Sequence, residues 1–432
     1  MSRAFLVRAA ALYLPLVAAT ILWLWRRPVR RDRGALLLAA TWNLPALLVL
    51  HALAARFGWW RFEAEGGLFL GLPVDLYLGW AVLWGPVAAL AFPGLPMPAL
   101  LAAGAALDFV LMPAARPVVQ LGHGWLLGEL VGLLVALLPA QLLFRWTSED
   151  RRLGERTALQ VLVFVGLVLG ILPAVISSQG GISLAALSAR PRWITNALFQ
   201  LLVLAAVPGL SAVQELNERG LGTPFPYDPP RRLVTTGVYA YVANPMQIST
   251  AVVLFVISGA LASFWLVAAG LVTVVYSEGL AAWHENREIE RRFGAAWLEY
   301  RRRVRHWLPR WRPSISVPAR LYVAEGCASC SQLGHWLARR RPIELRLLAA
   351  EDHPKRDLSR ITYEADDGGE AEGIAAVARA LEHIHLGWAF AGWAIRLPIV
   401  RPILQAVMDV SGAGPRVFPR RSQRLCVRDL GR

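Results

Sequence analysis

QISTAVVLFVISGALASFWLVAAGLVTVVYSEGLAAW, from Gln247 to Trp283, is the stretch on which the fold turns. About 20 apolar residues cross a bilayer as helix, because every backbone polar group must be satisfied inside the segment. At 37 residues this run is too long for one crossing, and Ser258-Gly259 and Ser263 interrupt it. It reads as a tight helical hairpin that enters the membrane and returns.

The rest of the chain agrees. Of 432 residues, 56% are hydrophobic and only 17% charged, and the mean hydropathy is +0.44, values a soluble domain rarely reaches. Apolar runs near 9–25, 35–56, 67–92, 98–113, 124–144, 158–177 and 194–214 add seven spans, about nine with the hairpin. The first ends at Trp23, Trp25 and a basic cluster without a clear small-residue cleavage site, so it reads as a retained span. The net charge of +15 does not indicate nucleic acid, because the arginines lie between the apolar runs.

Those arginines orient the chain. Arg26, Arg27, Arg30, Arg31 and Arg33, the Arg145–Arg156 linker and the dense Arg291–Arg312 segment all fall on one side, expected to be cytoplasmic. Loop 217–246 and the C-terminal region share that side, and Arg190 and Arg192 are the exception. The linker GWWRFEAEGG, with its Trp pair, suits the outer interface. The expected location is the inner (cytoplasmic) membrane, multi-pass.

Two polar blocks flank the hairpin: GLGTPFPYDPPRRLVTTGVYAYVANPMQ before it and HENREIERRFGAAWLEYRRRVRHWLPR after it. Pro224, Pro226, Pro229 and Pro230 stiffen the first. Gly237 permits a turn that a β-carbon would obstruct, and Pro245 forces Asn244 out of helical geometry, so a helix starts there with open amides. Glu278 and Glu285 share a face of the returning helix, with Glu288 near.

These blocks resemble the isoprenylcysteine carboxyl methyltransferase and phospholipid methyltransferase family over about 205–311. Gly237, Tyr239, Tyr241, Asn244, Pro245 and Met246 match the family's first motif. Glu285, Phe293, Gly294, Tyr300, Trp307, Pro309 and Arg310 match its second. The resemblance implies S-adenosylmethionine bound between the blocks by Gly237, Tyr239, Tyr241, Asn244, Pro245 and Glu285, with Glu285 and His284 as catalytic candidates and a lipid-soluble acceptor, isoprenoid or phospholipid-like, entering from the bilayer. Methyl transfer needs alignment and electrostatics more than covalent help; aromatic faces favour a sulfonium and a carboxylate holds an ammonium or ribose. Ala243, Gln247 and Asn286 depart from the family's Arg, Tyr and Glu. The plainer alternatives are interfacial anchoring for Tyr239 and Tyr241, a solvated ion pair for Glu285, an interfacial histidine rather than a general base for His284, and headgroup binding for Arg301 to Arg305.

From about Arg320 the composition becomes that of a small α/β domain. ARLYV runs into GCASC and a helix; ELRLLA is strand-like; RITYEADDGGEAEG reads as strand, turn and strand; IAAVARALEHI is a helix. With only three cysteines the chain has no disulfide framework, and a lone C-x-x-C points to redox or metal chemistry. Residues from about 319 to 414 resemble the DCC-type thiol-disulfide oxidoreductases, which implies a thioredoxin-like fold, Cys327 attacking, Cys330 resolving and a thiol redox partner. A helix N-terminus favours such a thiolate. Glu325-Gly326 stands where that family has Asp-Gly and one more residue. The alternatives are an inert relic fold or half a metal site with Cys426 and His335; lacking a second Cys pair, no metal is expected.

Asp75, Asp108 and Glu129 fall within apolar runs, where acids need partners: an acceptor pocket or proton path, or interhelical hydrogen bonding. The segment GWWRF…GLPVDLYLGW loosely resembles carotenoid-pathway membrane proteins, which implies only an isoprenoid or other lipid substrate.

The expected organisation is therefore N-terminal transmembrane helices (1–193), a methyltransferase-like membrane core (194–312), a linker (313–318) and a thioredoxin-like domain with a basic tail (319–432). The expected function is S-adenosylmethionine-dependent methylation at the membrane face. The alternatives are a membrane-anchored thiol-disulfide oxidoreductase on a non-catalytic scaffold, and an NADPH-dependent lipid reductase, for which no Gly-rich dinucleotide loop argues.

Overall fold

The structure is a computed structural model that describes residues 2–180, 189–276 and 282–421, and for 282–286 the backbone alone. Seven described helices are long and apolar enough to cross a membrane: α1 (Arg3–Arg26), α2 (Arg30–Phe57), α3 (Val74–Ala91), α4 (Met97–Ala114), α5 (Trp125–Ser148), α6 (Leu153–Gln179) and α7 (Arg192–Glu218). The hairpin is present as two shorter apolar helices, α8 (Pro245–Leu261) and α9 (Phe264–Tyr276). The expected nine spans thus become seven long helices and two short ones. Ser258-Gly259 stays helical; the chain turns at Ala262, in left-handed conformation, where Ser263 N–H caps the Ser258 carbonyl.

The chain divides into two compact units, 1–189 with 222–229, and 190–221 with 230–432. In the first, α2 is central, packed on α3, α5 and α6, and α1 packs on α3. Pro86 breaks the hydrogen-bond ladder of α3 and leaves a π-helical turn over Leu83–Val87. Such a break is tolerated in apolar surroundings only when side chains take over the freed carbonyls. Here Gln141 of α5 donates to the carbonyls of Trp84 (2.7 Å) and Gly85 (2.9 Å), and Asn43 of α2 to that of Ala81 (3.2 Å).

Two expectations change in this unit. The run from residue 67 does not begin as helix: β2 (Leu68–Phe69) and β3 (Leu72–Pro73) form a small hairpin before α3, turning at Leu70 and Gly71 with positive φ. The Trp59-Trp60 pair is buried rather than interfacial, because β1 (Trp60–Phe62) pairs antiparallel with β4 (Val119–Leu121) and turns both indoles into the core.

In the second unit α7 packs on α8, and α8 on α9. After α10 (Ala282–Phe293) and α11 (Ala295–Arg303) the chain enters a four-stranded sheet ordered β6 (Leu345–Ala349), β5 (Ala319–Val323), β7 (Thr362–Ala365), β8 (Glu370–Glu372). β5 and β6 are parallel, joined through α12 (Ala328–Arg339); β7 and β8 are antiparallel to their neighbours. Then come α13 (Ile374–Leu381), α14 (Leu386–Arg396) and α15 (Val400–Met408). Within the segment expected as a linker, 313–318, Ser314 N–H donates to the Ala240 carbonyl (2.8 Å); just before it, Trp311 stacks on His385.

Candidate functional site

The loop Gly237–Asn244 and the segment after α11 meet along their backbones. Ala243 N–H donates to the Arg305 carbonyl (2.9 Å), Asn244 N–H to that of His306 (3.2 Å), and Arg310 N–H to that of Tyr241 (3.0 Å). The Tyr300 hydroxyl donates to the Tyr239 carbonyl (2.9 Å), and the Asn244 amide bonds His306 Nδ1 (2.9 Å). Asn244, non-helical before Pro245, opens α8. The two blocks therefore converge, residue against residue. Of the second block, His284 and Glu285 lie on α10 with side chains outside the described residues; Glu278, at the end of the hairpin stretch, is outside them altogether.

Gly237 is constrained twice. Its φ is +59°, and a Cβ would lie 2.6 Å from the Glu215 carboxyl carbon. The tyrosines do not project from the loop. Tyr239 is buried. Tyr241 is fully buried, edge-on to Trp393 at 5.5 Å, and donates its hydroxyl to the Glu382 carbonyl (2.8 Å), so burial pushes its phenol well above the usual range. Tyr241 is neither an interfacial anchor nor free to face a cofactor; its hydroxyl is taken up by Glu382, just past α13, and its ring by Trp393 of α14.

Beside the loop, Glu215 and Glu218 of α7 meet Arg379, Glu382 and Arg396. Arg379 lies 2.6 Å from Glu215 and 3.1 Å from Glu382; Arg396 lies 2.6 Å from Glu218, 3.1 Å from Glu382 and pairs with Glu215. A cleft of about 820 Å³ opens against this cluster, lined by Gln214, Glu218, Thr235, Thr236, Asp367, Glu370, Arg232 and Arg401 among others. Arg232 and Arg401 have no ion-pair partner among the described residues, and the buried Gln214 Oε1 has no hydrogen-bond partner there. Sequence reasoning missed this cleft, because its two walls are more than a hundred residues apart in the chain.

The C-x-x-C begins α12. Cys327 is its N-cap and its Sγ accepts the Cys330 N–H at 3.4 Å; both thiols are free and buried. Burial, and then the neighbouring Cys327, push the Cys330 thiol up to about 12. His335 turns to the Ser331 carbonyl (2.8 Å), and Cys426 lies outside the described residues.

His383, behind β7, donates from Nδ1 to the Ile343 carbonyl (2.7 Å) and shares a hydrogen bond with Tyr363 Oη at Nε2 (3.0 Å). Burial, aided by the Arg379 charge, pushes it down to about 4, against the pull of the Ile343 carbonyl. A histidine lowered from 6.5 stabilises the fold above 6.5, and that contribution is lost as pH falls toward 4, where the unfolded chain binds the extra proton. Between those limits unfolding free energy should fall by roughly 3 kcal/mol more in the parent than in His383→Gln, measured by denaturation in detergent at stepped pH.

In the first unit Asp75 pairs with Arg8 of α1 at 2.5 Å, an interhelical contact of the ordinary kind. Asp108 differs: it is fully buried beside the indoles of Trp80 and Trp84, and neither carboxyl oxygen has a hydrogen-bond partner among the described residues. Nearby Glu129 lines a cavity of about 60 Å³ with His51, Trp60, Tyr77, Trp80 and Trp84.

No protein-family model, curated protein or solved structure matches the chain. The functional reading therefore rests on these residues and on the resemblance carried by the two blocks.

Proposed function

We propose that the second unit is an S-adenosylmethionine-dependent methyltransferase acting at a membrane face on a lipid-soluble acceptor. The observation that carries the reading is the cleft beside Thr235–Gly237. Its volume lies in the range of small-molecule sites, about 300–1,000 Å³. Its lining suits a zwitterion carrying a sulfonium: Arg232 and Arg401 for the carboxylate, and for the ammonium and sulfonium the unpartnered Gln214 carbonyl, beside Glu218, which Arg396 already holds, and Asp367, which Arg219 holds. When bound, the cofactor would supply an activated methyl group. Thr235 and Thr236 fix the wall of the cleft, through Ser316 (3.2 Å) and Glu215 (3.0 Å), and Gly237 lets the chain turn under it. The converging blocks support the family resemblance; Tyr241 does not take part in binding.

A second reading concerns the sheet domain. Strand order 2-1-3-4 with only the first two parallel, and a C-x-x-C at the first helix start, suit a thioredoxin-like thiol-disulfide exchanger.

One panel separates them: thermal stability of the full chain in detergent with S-adenosylmethionine, its demethylated product, NADPH or a dithiol. Stabilisation by the first two, lost in Arg232→Ala/Arg401→Ala, is expected. Stabilisation by NADPH alone replaces methyl transfer with reduction. A dithiol response abolished only by Cys327→Ser favours exchange.

A further inference from the structure

Helix α15 is held to the protein on one side and open on the other. The inward side packs Met408 on the core of the sheet domain and makes polar contacts: the Gln405 side-chain carbonyl accepts the Ile374 N–H (2.8 Å), its amide donates to Asp409 (2.8 Å), and Asp409 holds Arg360 (2.9 Å). The open side carries apolar residues. Ile399, Ile403, Val407 and Val410 recur at intervals of four, four and three, one stripe along the helix and the turn that follows it, and are 79%, 59%, 58% and 89% exposed. Lone exposed apolar residues are ordinary; an aligned stripe on the open side of a helix is a contact surface without its partner.

We infer that this stripe lies in the interfacial layer of the bilayer, with the acyl boundary as its occupant. The position of α14 argues for it. Ala389 and Trp393 share a core with Val207 and Ala212 of α7, and Val207 is about 16 Å back from the end of a helix long enough to span. So α14 runs at bilayer level, and α15 leaves it after Pro398 with the stripe outward. Charge argues the same way: Arg302, Arg305 and Arg416 of this unit are exposed, as suits a surface set against anionic headgroups. The sheet domain is thus seated on the membrane by α15, not merely tethered through the chain.

The test uses the full chain in nanodiscs of phosphatidylethanolamine and phosphatidylglycerol, with p-benzoylphenylalanine in place of Ile403, Val407 or the exposed Lys355. All three positions face outward, so folding is little disturbed. After irradiation, intact mass should show lipid adducts at 403 and 407 and none at 355. Crosslinks to a second copy, crosslinks within the chain such as to residues beyond 421, or no lipid adduct at 403 and 407 would overturn the inference.

Discussion

Arg396→Gln should lower the stability of the second unit by about 3–5 kcal/mol, the range for removing one partner of a buried ion pair. Arg396 is 3% exposed, Glu382 5% and Glu215 fully buried, so water cannot replace the lost guanidinium. The cluster holds three carboxylates against two guanidiniums. Without Arg396 a single arginine faces all three, and two negative charges stay uncompensated. Adding Glu215→Gln restores the original imbalance of one, so the double variant should be more stable than Arg396→Gln alone. Denaturation in detergent, followed by tryptophan fluorescence, measures both. Additive losses would show that the two side chains do not act as a pair.

Tyr241→Ala should be of similar size, about 3–5 kcal/mol, because an aromatic ring is removed from a filled core against Trp393. Tyr241→Phe removes only the hydroxyl and leaves the Glu382 carbonyl without its donor, about 1–3 kcal/mol. The contrast also bears on function. If Tyr241 is a packing residue, Tyr241→Phe binds S-adenosylmethionine as the parent does. A tenfold loss of affinity in that variant would return the residue to the cofactor.

Where local chemistry decides, the sequence was legible. Apolar length located the seven long helices, Gly237 sits at the positive φ its turn requires, and Pro245 starts a helix as its missing N–H allows. The strands on either side of the C-x-x-C lie on the short apolar runs ARLYV and LRLLA. What the chain did not disclose depends on distant partners. Nothing near Tyr241 announces Glu382 and Trp393. Nothing near Trp59-Trp60 announces the strand at Val119–Leu121. Helices α14 and α15 are apolar but short of a crossing, a length at which buried, interfacial and core helices read alike. The cleft was invisible for the same reason, since neither wall is a motif alone.

The short insert 222–229 folds with the first unit although its neighbours on both sides belong to the second. It delivers Asp228, which lies 2.8 Å from Arg31 and 2.9 Å from Arg156, the latter only 1% exposed. A gene split after residue 189 would therefore not liberate an autonomous N-terminal half. It would strand an interior guanidinium with Asp150 as its sole counter-charge among the described residues, so the N-terminal piece should be less stable alone than within the full chain.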